Sequence, residues 1–278
     1  MANAIRRLKK TTKIRILGKG KQSDLNYDIS SILRNWDYDP TSINARWVMG
    51  HDGRMKVQLR LDLGLFQMES EGRPDGTRPR GYVSLLHYYR SIVRTATGGQ
   101  ALKLNGDACA ELQQESLQYY YRYLSFYALR NFAGVVSDTD HNLAIIDLVT
   151  EFAEDEDHAW QFVQFFPYVR MMNARARAEQ ALAEKNHEEA IRALQKALDD
   201  INRFWSDYGE SDNMSGNEVE LLSDLLRQVM KQKPKTKADR LQEQLDLAIA
   251  KEDYEKAAVL RDQMKKLGHA PPLSSDSH

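Results

Sequence analysis

KADRLQEQLDLAIAKEDYEKAAVLRDQMKKL, residues 237–267, places apolar side chains at two sets of helical positions. Leu241, Leu245, Ala248 and Ile249 form the first set, and Ala257, Leu260, Met264 and Leu267 the second. Residues three and four apart share a helix face, so each set is one apolar stripe. The charged triplet Lys251-Glu252-Asp253, then Tyr254, separates them. The pattern predicts two short antiparallel helices joined by a tight turn. Thr236, with Asp239 three residues on, has the spacing of a capping box for the first helix. Chains below about 40 residues rarely bury enough surface to fold alone. A hairpin of this size is therefore expected to dock on something.

The residues around the turn carry a resemblance. Asp253-Tyr254-Glu255, Ala257-Ala258 and Leu260-Arg261-Asp262 resemble the UVR motif. That motif ends the bacterial excision-repair subunit UvrB and recurs inside UvrC. It also occurs in the protease chaperone ClpC and its adaptor McsA. The family pattern is an aromatic followed by Glu, a paired Ala, then Arg-Asp and an aliphatic residue. Tyr254 stands here for the commoner Phe, and Met264 for the commoner Ile. Nothing in the remaining chain resembles UvrB or UvrC. The resemblance implies a protein-binding hairpin whose surface involves Leu241, Leu245, Ala248, Tyr254, Ala257, Ala258, Arg261, Met264 and Leu267. It implies a UvrB-, UvrC- or ClpC-type partner, or a second copy of this chain. Ala257-Ala258 is expected where two helices or two hairpins approach closely. Tyr254 is expected to lay its ring over the first helix, and Arg261 to pair with an acid on a facing hairpin.

Composition bounds the rest. A chain of 278 residues holds one large or two modest domains. With 39 basic against 40 acidic residues, the whole chain is no polyanion binder. Cys109 is the single cysteine, which leaves no internal disulfide and no thiol cluster for zinc. The opening MANAIRRLKK lacks the apolar stretch of a signal peptide. No apolar run approaches the roughly 18 residues of a membrane span. A cytoplasmic protein without membrane contact is expected.

Residues 1–21 hold eight Lys or Arg and no acid. They read either as a solvated terminal tail or as an arm that neutralises phosphates, giving weak nucleic-acid binding. No aromatic there offers a stacking surface, and Gly18-Lys19-Gly20-Lys21 lacks phosphate-loop spacing. Residues 22–100 are expected to form a small α+β region. Val57, Leu59, Leu61, Leu63 and Leu65 alternate with Gln58, Arg60, Asp62 and Gly64, which predicts one half-buried strand. Ala45–Met49 is its expected partner across a His51-Asp52-Gly53-Arg54 turn. Arg73-Pro74-Asp75-Gly76 marks another turn. Arg60 and Asp62 are expected on the sheet's polar face.

From Gly81 the chain turns helical, with one helix expected over Tyr82–Thr95 and another, capped by Asp107, running through Arg130. The aromatic run Tyr119-Tyr120-Tyr121-Arg122-Tyr123, with Phe126-Tyr127, cannot face one way, so both sides of that helix must pack. Two segments are similar to tetratricopeptide repeats: Ala128–Leu143, around Asn131-Phe132-Ala133, and Ala181–Leu198, around Asn186-His187-Glu188. In that family a helix ends in a polar turn, an aromatic follows, then an Ala that admits the second helix. His187 replaces the aromatic, and Val135 the Ala. An extra helix over Asp155–Phe166, ended near Pro167, is expected between the copies. The same turn logic recurs at Lys251-Glu252-Asp253-Tyr254. Ser215 with Glu218 reads as a capping box for an amphipathic helix carrying Leu221, Leu222, Leu225, Leu226 and Val229. The expected organisation is mainly α: an irregular tetratricopeptide-like helical body over 101–231, with the small β element before it. A linker at 232–236, the hairpin at 237–267 and a disordered tail at 268–278 follow.

No catalytic constellation stands out. The histidines 51, 87, 141, 158, 187, 269 and 278 form no metalloprotease pair, and no nucleophile elbow or dinucleotide fingerprint appears. The acidic run Glu151, Glu154, Asp155, Glu156 and Asp157 beside His158 lacks calcium-loop spacing. It reads as a solvated face or as acids favouring a helix start. The expectation is a non-enzymatic interaction scaffold without cofactor or metal. The alternative is a nucleic-acid-binding accessory protein in DNA excision repair.

Overall fold

The computed structural model describes residues 28–95, 103–209, 217–234 and 237–266. The arm at 1–21, the tail at 268–278, Leu267 and the expected caps Thr236 and Ser215 lie outside the described residues. After a short helix α1 (Ser30–Leu33), strands β1 (Ala45–Met49), β2 (Met55–Arg60) and β3 (Leu65–Glu69) form an antiparallel meander in that order. Gly53, at φ 74°, supplies the left-handed residue of the first turn. The long alternating run is not one strand. The chain reverses after Arg60, where the Leu61 N–H donates to the Gly64 carbonyl at 2.9 Å, and Leu63 sits at the tip, 91% exposed. The two-residue turn moves the inward face from odd to even positions, Leu59 opposing Phe66 and Val57 opposing Met68, so Leu63 and Leu65 extend the odd-numbered count without sharing its face. Arg60 does not lie on a free polar face. Its guanidinium donates to the carbonyls of Gly64, at 2.9 Å, and Leu61, which holds that turn.

The helices are α2 (Leu85–Thr95), α3 (Gly106–Ala128), α4 (Phe132–Phe152), α5 (Glu156–Val163), α6 (Phe166–Ala183), α7 (His187–Tyr208), α8 (Glu218–Gln232), α9 (Lys237–Ala250) and α10 (Tyr254–Lys266). The protein is mainly α. Four boundaries differ from expectation, each for a local reason. A 3₁₀ turn at Pro79–Gly81 delays α2 to Leu85. Asn105, not Asp107, caps α3, accepting from the Ala108 N–H at 2.9 Å; Asp107 lies in the first turn, where an acid suits the helix dipole. Helix α3 closes at Ala128, two residues short of Arg130. Pro167 opens α6 rather than ending α5, because a first-turn residue needs no N–H partner. The acidic run is a helix start: Asp155 caps α5 and accepts from the Asp157 N–H at 2.7 Å.

The aromatic run does pack both ways. Phe126 meets Trp47 of the sheet with ring centroids 5.7 Å apart, and Tyr121 meets Phe66 at 4.8 Å. Tyr120 turns toward Tyr168 of α6 at 6.5 Å. Tyr123 and Phe126 are buried in a core that runs from β2 through α6 and α7 to Leu222 and Val229 of α8. A second core joins Leu85, Leu86 and Tyr89 of α2 to α4 and α5.

Polar groups fasten the sheet to the helices. The Arg122 guanidinium is buried and donates twice to Asp138 of α4, at 2.8 and 2.7 Å. Its remaining nitrogen donates to the carbonyls of Glu69 and Gly72, at 2.9 and 2.8 Å. Glu115, fully buried one level below, accepts from Arg73 at 2.9 Å and from the first N–H groups of α2, Leu85 and Leu86, at 2.8 and 3.1 Å. His141 Nε2 lies 3.1 Å from the same carboxylate. Burial alone would raise the Glu115 pKa, but His141 and the two backbone donors outweigh it and hold the carboxyl below its ordinary value.

Removing one partner of the upper pair strands a buried charge. Arg122→Ala is expected to cost about 3–5 kcal/mol in urea unfolding, whereas Arg122→Met with Asp138→Leu should cost much less. The depressed Glu115 pKa sets a pH window. Its contribution is present above about pH 4.3, the ordinary Glu value, and is lost as pH falls toward the folded-state pKa. Glu115→Gln should therefore flatten the acid limb of a stability-versus-pH curve relative to wild type.

Candidate functional site

Helices α9 and α10 meet at a turn whose geometry occurs twice more in this chain. Glu252 takes φ 57°, as Arg130 takes 56° and Lys185 60°. The next N–H reaches five residues back: Asp253 to Ala248, Asn131 to Phe126, Asn186 to Ala181, all within 2.8–2.9 Å. That is a left-handed helix stop of the Schellman kind. The same residue then caps the following helix, its side chain accepting from the N–H three residues on: Lys256 at 3.2 Å, Gly134 at 3.3 Å, Glu189 at 3.1 Å. Four residues past each cap comes a buried side chain, Val135, Ala190 or Ala257.

Leu241, Leu245 and Ala248 of α9 close against Ala257, Leu260 and Met264 of α10 in a core of their own, apart from the two body clusters. Tyr254, Ala258 and Arg261 stand outside this core. Tyr254 is 70% exposed, so its ring does not cover α9. Ala258 and Arg261 are exposed too, and Arg261 makes no ion pair among the described residues. One residue advances a helix by about 100°. Only one alanine of the pair can therefore face α9; Ala257 does, and Ala258 is carried outward. Tyr254, Ala258 and Arg261, spaced i, i+4 and i+7, line one outward stripe instead. Ile249, counted with the inner stripe from the sequence, is exposed, as are Leu247 and Val259.

The family model of the UvrB/uvrC motif, UVR, matches residues 235–270. The hairpin thus matches the UVR motif. The body before it lies outside that match, and no curated protein and no solved structure matches the chain. In proteins of the UvrB, UvrC and ClpC type the UVR motif is a protein-interaction motif.

A second cluster of chemical groups lies beside the Arg122 clamp. A cleft of about 350 Å³ is lined by Ser84, His87, Tyr119, Arg122, Asp138 and His141, among others. Each of these has a structural duty or partner. Ser84 Oγ meets His87 Nδ1 at 2.7 Å and also accepts from the His87 N–H at 3.2 Å in the first turn of α2. His141 stacks on Tyr119, ring centroids 3.7 Å apart, while it meets Glu115. Burial, then the neighbouring His141, hold His87 below its ordinary pKa. Cys109 is buried, and burial pushes its thiol up, away from a reactive thiolate. Among the described residues, no group of three or more His, Cys, Asp or Glu side chains could hold a metal ion. No helix among them is long and apolar enough to cross a membrane.

Sequence reasoning passed over Arg122, Asp138, Glu115 and Arg73, and over the outward Leu247 and Val259. The one available signal was Arg122 itself, a charge inside an aromatic run on a helix that had to pack on both sides.

The two alanines give a discriminating test. Ala257→Glu places a carboxylate in the α9–α10 core and should unfold the hairpin, since burying an unpaired charge costs several kcal/mol. Ala258→Glu, on the exposed face, should change stability by no more than about 0.5 kcal/mol. Amide hydrogen exchange across residues 240–264 reads both outcomes.

Proposed function

We propose that this protein is a non-enzymatic interaction scaffold that docks through the outward face of its UVR hairpin. One observation carries the reading. The hairpin satisfies its own small core, yet leaves Leu247, Ile249, Tyr254 and Val259 exposed on thirteen- and fourteen-residue helices. So many exposed large apolar groups on so small a unit support a contact role for it. Tyrosine suits the centre of such a contact, because it brings a large rigid ring with a polar tip. The partner proposed is a UvrB-, UvrC- or ClpC-type protein, or a second copy of this chain, in a cytoplasmic setting. Helix α10 is about 20 Å long at 1.5 Å per residue, so one partner helix laid along its stripe makes a small contact of the weak, transient class.

The second reading, an accessory role in DNA excision repair through nucleic-acid binding, draws on the same motif and on the basic residues of 1–21. The hairpin is a poor candidate for the nucleic-acid contact. Its seven basic and seven acidic side chains over 237–267 give no surplus of positive charge.

A pull-down with the full chain, paired with sedimentation velocity, tests the first reading. Ala258→Glu should abolish partner capture or self-association while circular dichroism shows an unchanged fold. Tyr254→Ala should weaken it by about 2 kcal/mol if the ring is a hot spot. Arg261→Ala should do least, since an exposed ion pair is worth at most about 1 kcal/mol. Undiminished association in Ala258→Glu would place the binding surface off this face.

A further inference from the structure

A groove between α4, α5, α6 and α7 belongs to neither reading above. Its floor is apolar: Ile146, Val163, Phe166 and Phe204 line a volume of about 360 Å³. Phe166 stacks on Phe204 with ring centroids 5.4 Å apart, and Phe204 meets Tyr208 at 4.8 Å. Tyr208 stays 49% exposed at the mouth. The rim is acidic. Asp147 and Glu151 stand on α4, Asp200 and Asp207 on α7, and Arg203 is the single cation in the lining. Asp200 is engaged by Arg170 at 2.9 Å. Asp147, Glu151 and Asp207 make no hydrogen bond or ion pair among the described residues. Partial desolvation raises the Asp147 carboxyl, opposed by the charge of Arg90.

An apolar trough with three uncommitted carboxylates on its rim fits a peptide that interleaves cations with aliphatic side chains. The chain supplies one. Residues 1–21 hold eight Lys or Arg and no acid, and interleave them with Ile5, Leu8, Ile14, Ile16 and Leu17, as in Ile5-Arg6-Arg7-Leu8-Lys9-Lys10. We propose that this basic N-terminal segment docks in the groove of its own chain, aliphatic side chains on the aromatic floor and Lys and Arg against Asp147, Glu151 and Asp207. An Arg over the Tyr208 ring gains further from the ring's negative face. Reach is no obstacle. The 27 residues before Asp28 extend up to about 90 Å, against a radius of gyration of about 19 Å for a compact chain of this length. A polyanion is the wrong occupant, because the rim repels it, and an arm held here is withdrawn from nucleic acid.

Zero-length carbodiimide cross-linking of the full chain tests this, since it joins amines only to carboxylates in contact. Heavy- and light-isotope chains, mixed, separate links within a chain from links between chains. At low salt, Lys9, Lys10 or Lys13 should link to Asp147, Glu151 or Asp207 within one chain, and 0.5 M salt, with a Debye length of about 4 Å, should suppress the links. The variant Asp147→Asn/Glu151→Gln/Asp207→Asn has all its changes at exposed positions. It should lower links from the arm to the remaining groove carboxylate, Asp200, by about tenfold, the effect of losing three exposed ion pairs together. Charge reversal on the arm, Lys10→Glu/Lys13→Glu, cannot disturb the packed helices and should lower links from Lys9 to the groove to a similar degree. Three results would overturn the proposal: no link from the arm to the groove, links spread over the surface and unmoved by either variant, or links that join only different chains.

Discussion

The buried guanidinium of Arg122 is the joint on which the arrangement of sheet and helices turns. A three-stranded meander cannot hold itself against water, and its inward side chains, Val57, Leu59 and Met68, need a partner layer. Helix α3 supplies that layer with Tyr121 and Phe126, but apolar contact does not fix register. Arg122 does, because its planar fork meets Asp138 through two nitrogens while a third holds the carbonyls of Glu69 and Gly72. One side chain thus orients α3, α4 and the end of the sheet together. Glu115 repeats the arrangement with signs reversed, an anion set at the start of α2 and held by Arg73. A buried ion pair is weak evidence for stability in itself. Here its geometric consequence is plain: the loop from Glu69 to Gly72 has only one place to lie.

The helical part is built from one local device used three times. A left-handed residue ends a helix, and the next residue caps a new one, at Arg130-Asn131, Lys185-Asn186 and Glu252-Asp253. Non-glycine residues cost about 1–2 kcal/mol in that conformation. The bond from the cap residue's N–H to the carbonyl five residues back, and the side-chain cap, offset that cost at every copy. In the body the resulting hairpins stack and share a core that reaches from β2 to α8. The third copy closes on itself, with six buried side chains of its own. The same turn therefore yields hairpins that share a core upstream and one hairpin that closes on itself. What differs is the outward face, which α3–α4 and α6–α7 bury against neighbours and α9–α10 keeps open.

The open face and the acidic groove lie on different elements and draw on different physics. The hairpin offers apolar area with balanced charge, which favours a partner helix. The groove offers uncompensated carboxylates over an aromatic floor, which favours a cationic segment. A protein with one surface of each kind can hold a partner at one place while its own basic arm is held at another.

Much of this was legible along the chain, because much of it is local. Asn131, Asn186 and Asp253 announce their turns through residues three and four apart. Gly53 and Gly76 announce theirs by the backbone angles they allow, and the inner stripe of the hairpin follows from helical spacing. The misreadings were of two kinds. Leu63 continued a period that the chain had already abandoned at a two-residue turn. Asp107 and Pro167 carried signals compatible with two positions, one or two residues apart. Tertiary structure alone decided the rest. Arg122 meets Glu69 and Gly72 across roughly fifty residues, and no local pattern encodes a contact at that separation. Whether Ala257 or Ala258 faces inward depends on how α10 is rotated against α9, which the side chains of both helices settle together. The sequence determined helices, turns and charge; packing determined which faces remained to meet something else, since exposure is a property of the assembled molecule and not of any residue in it.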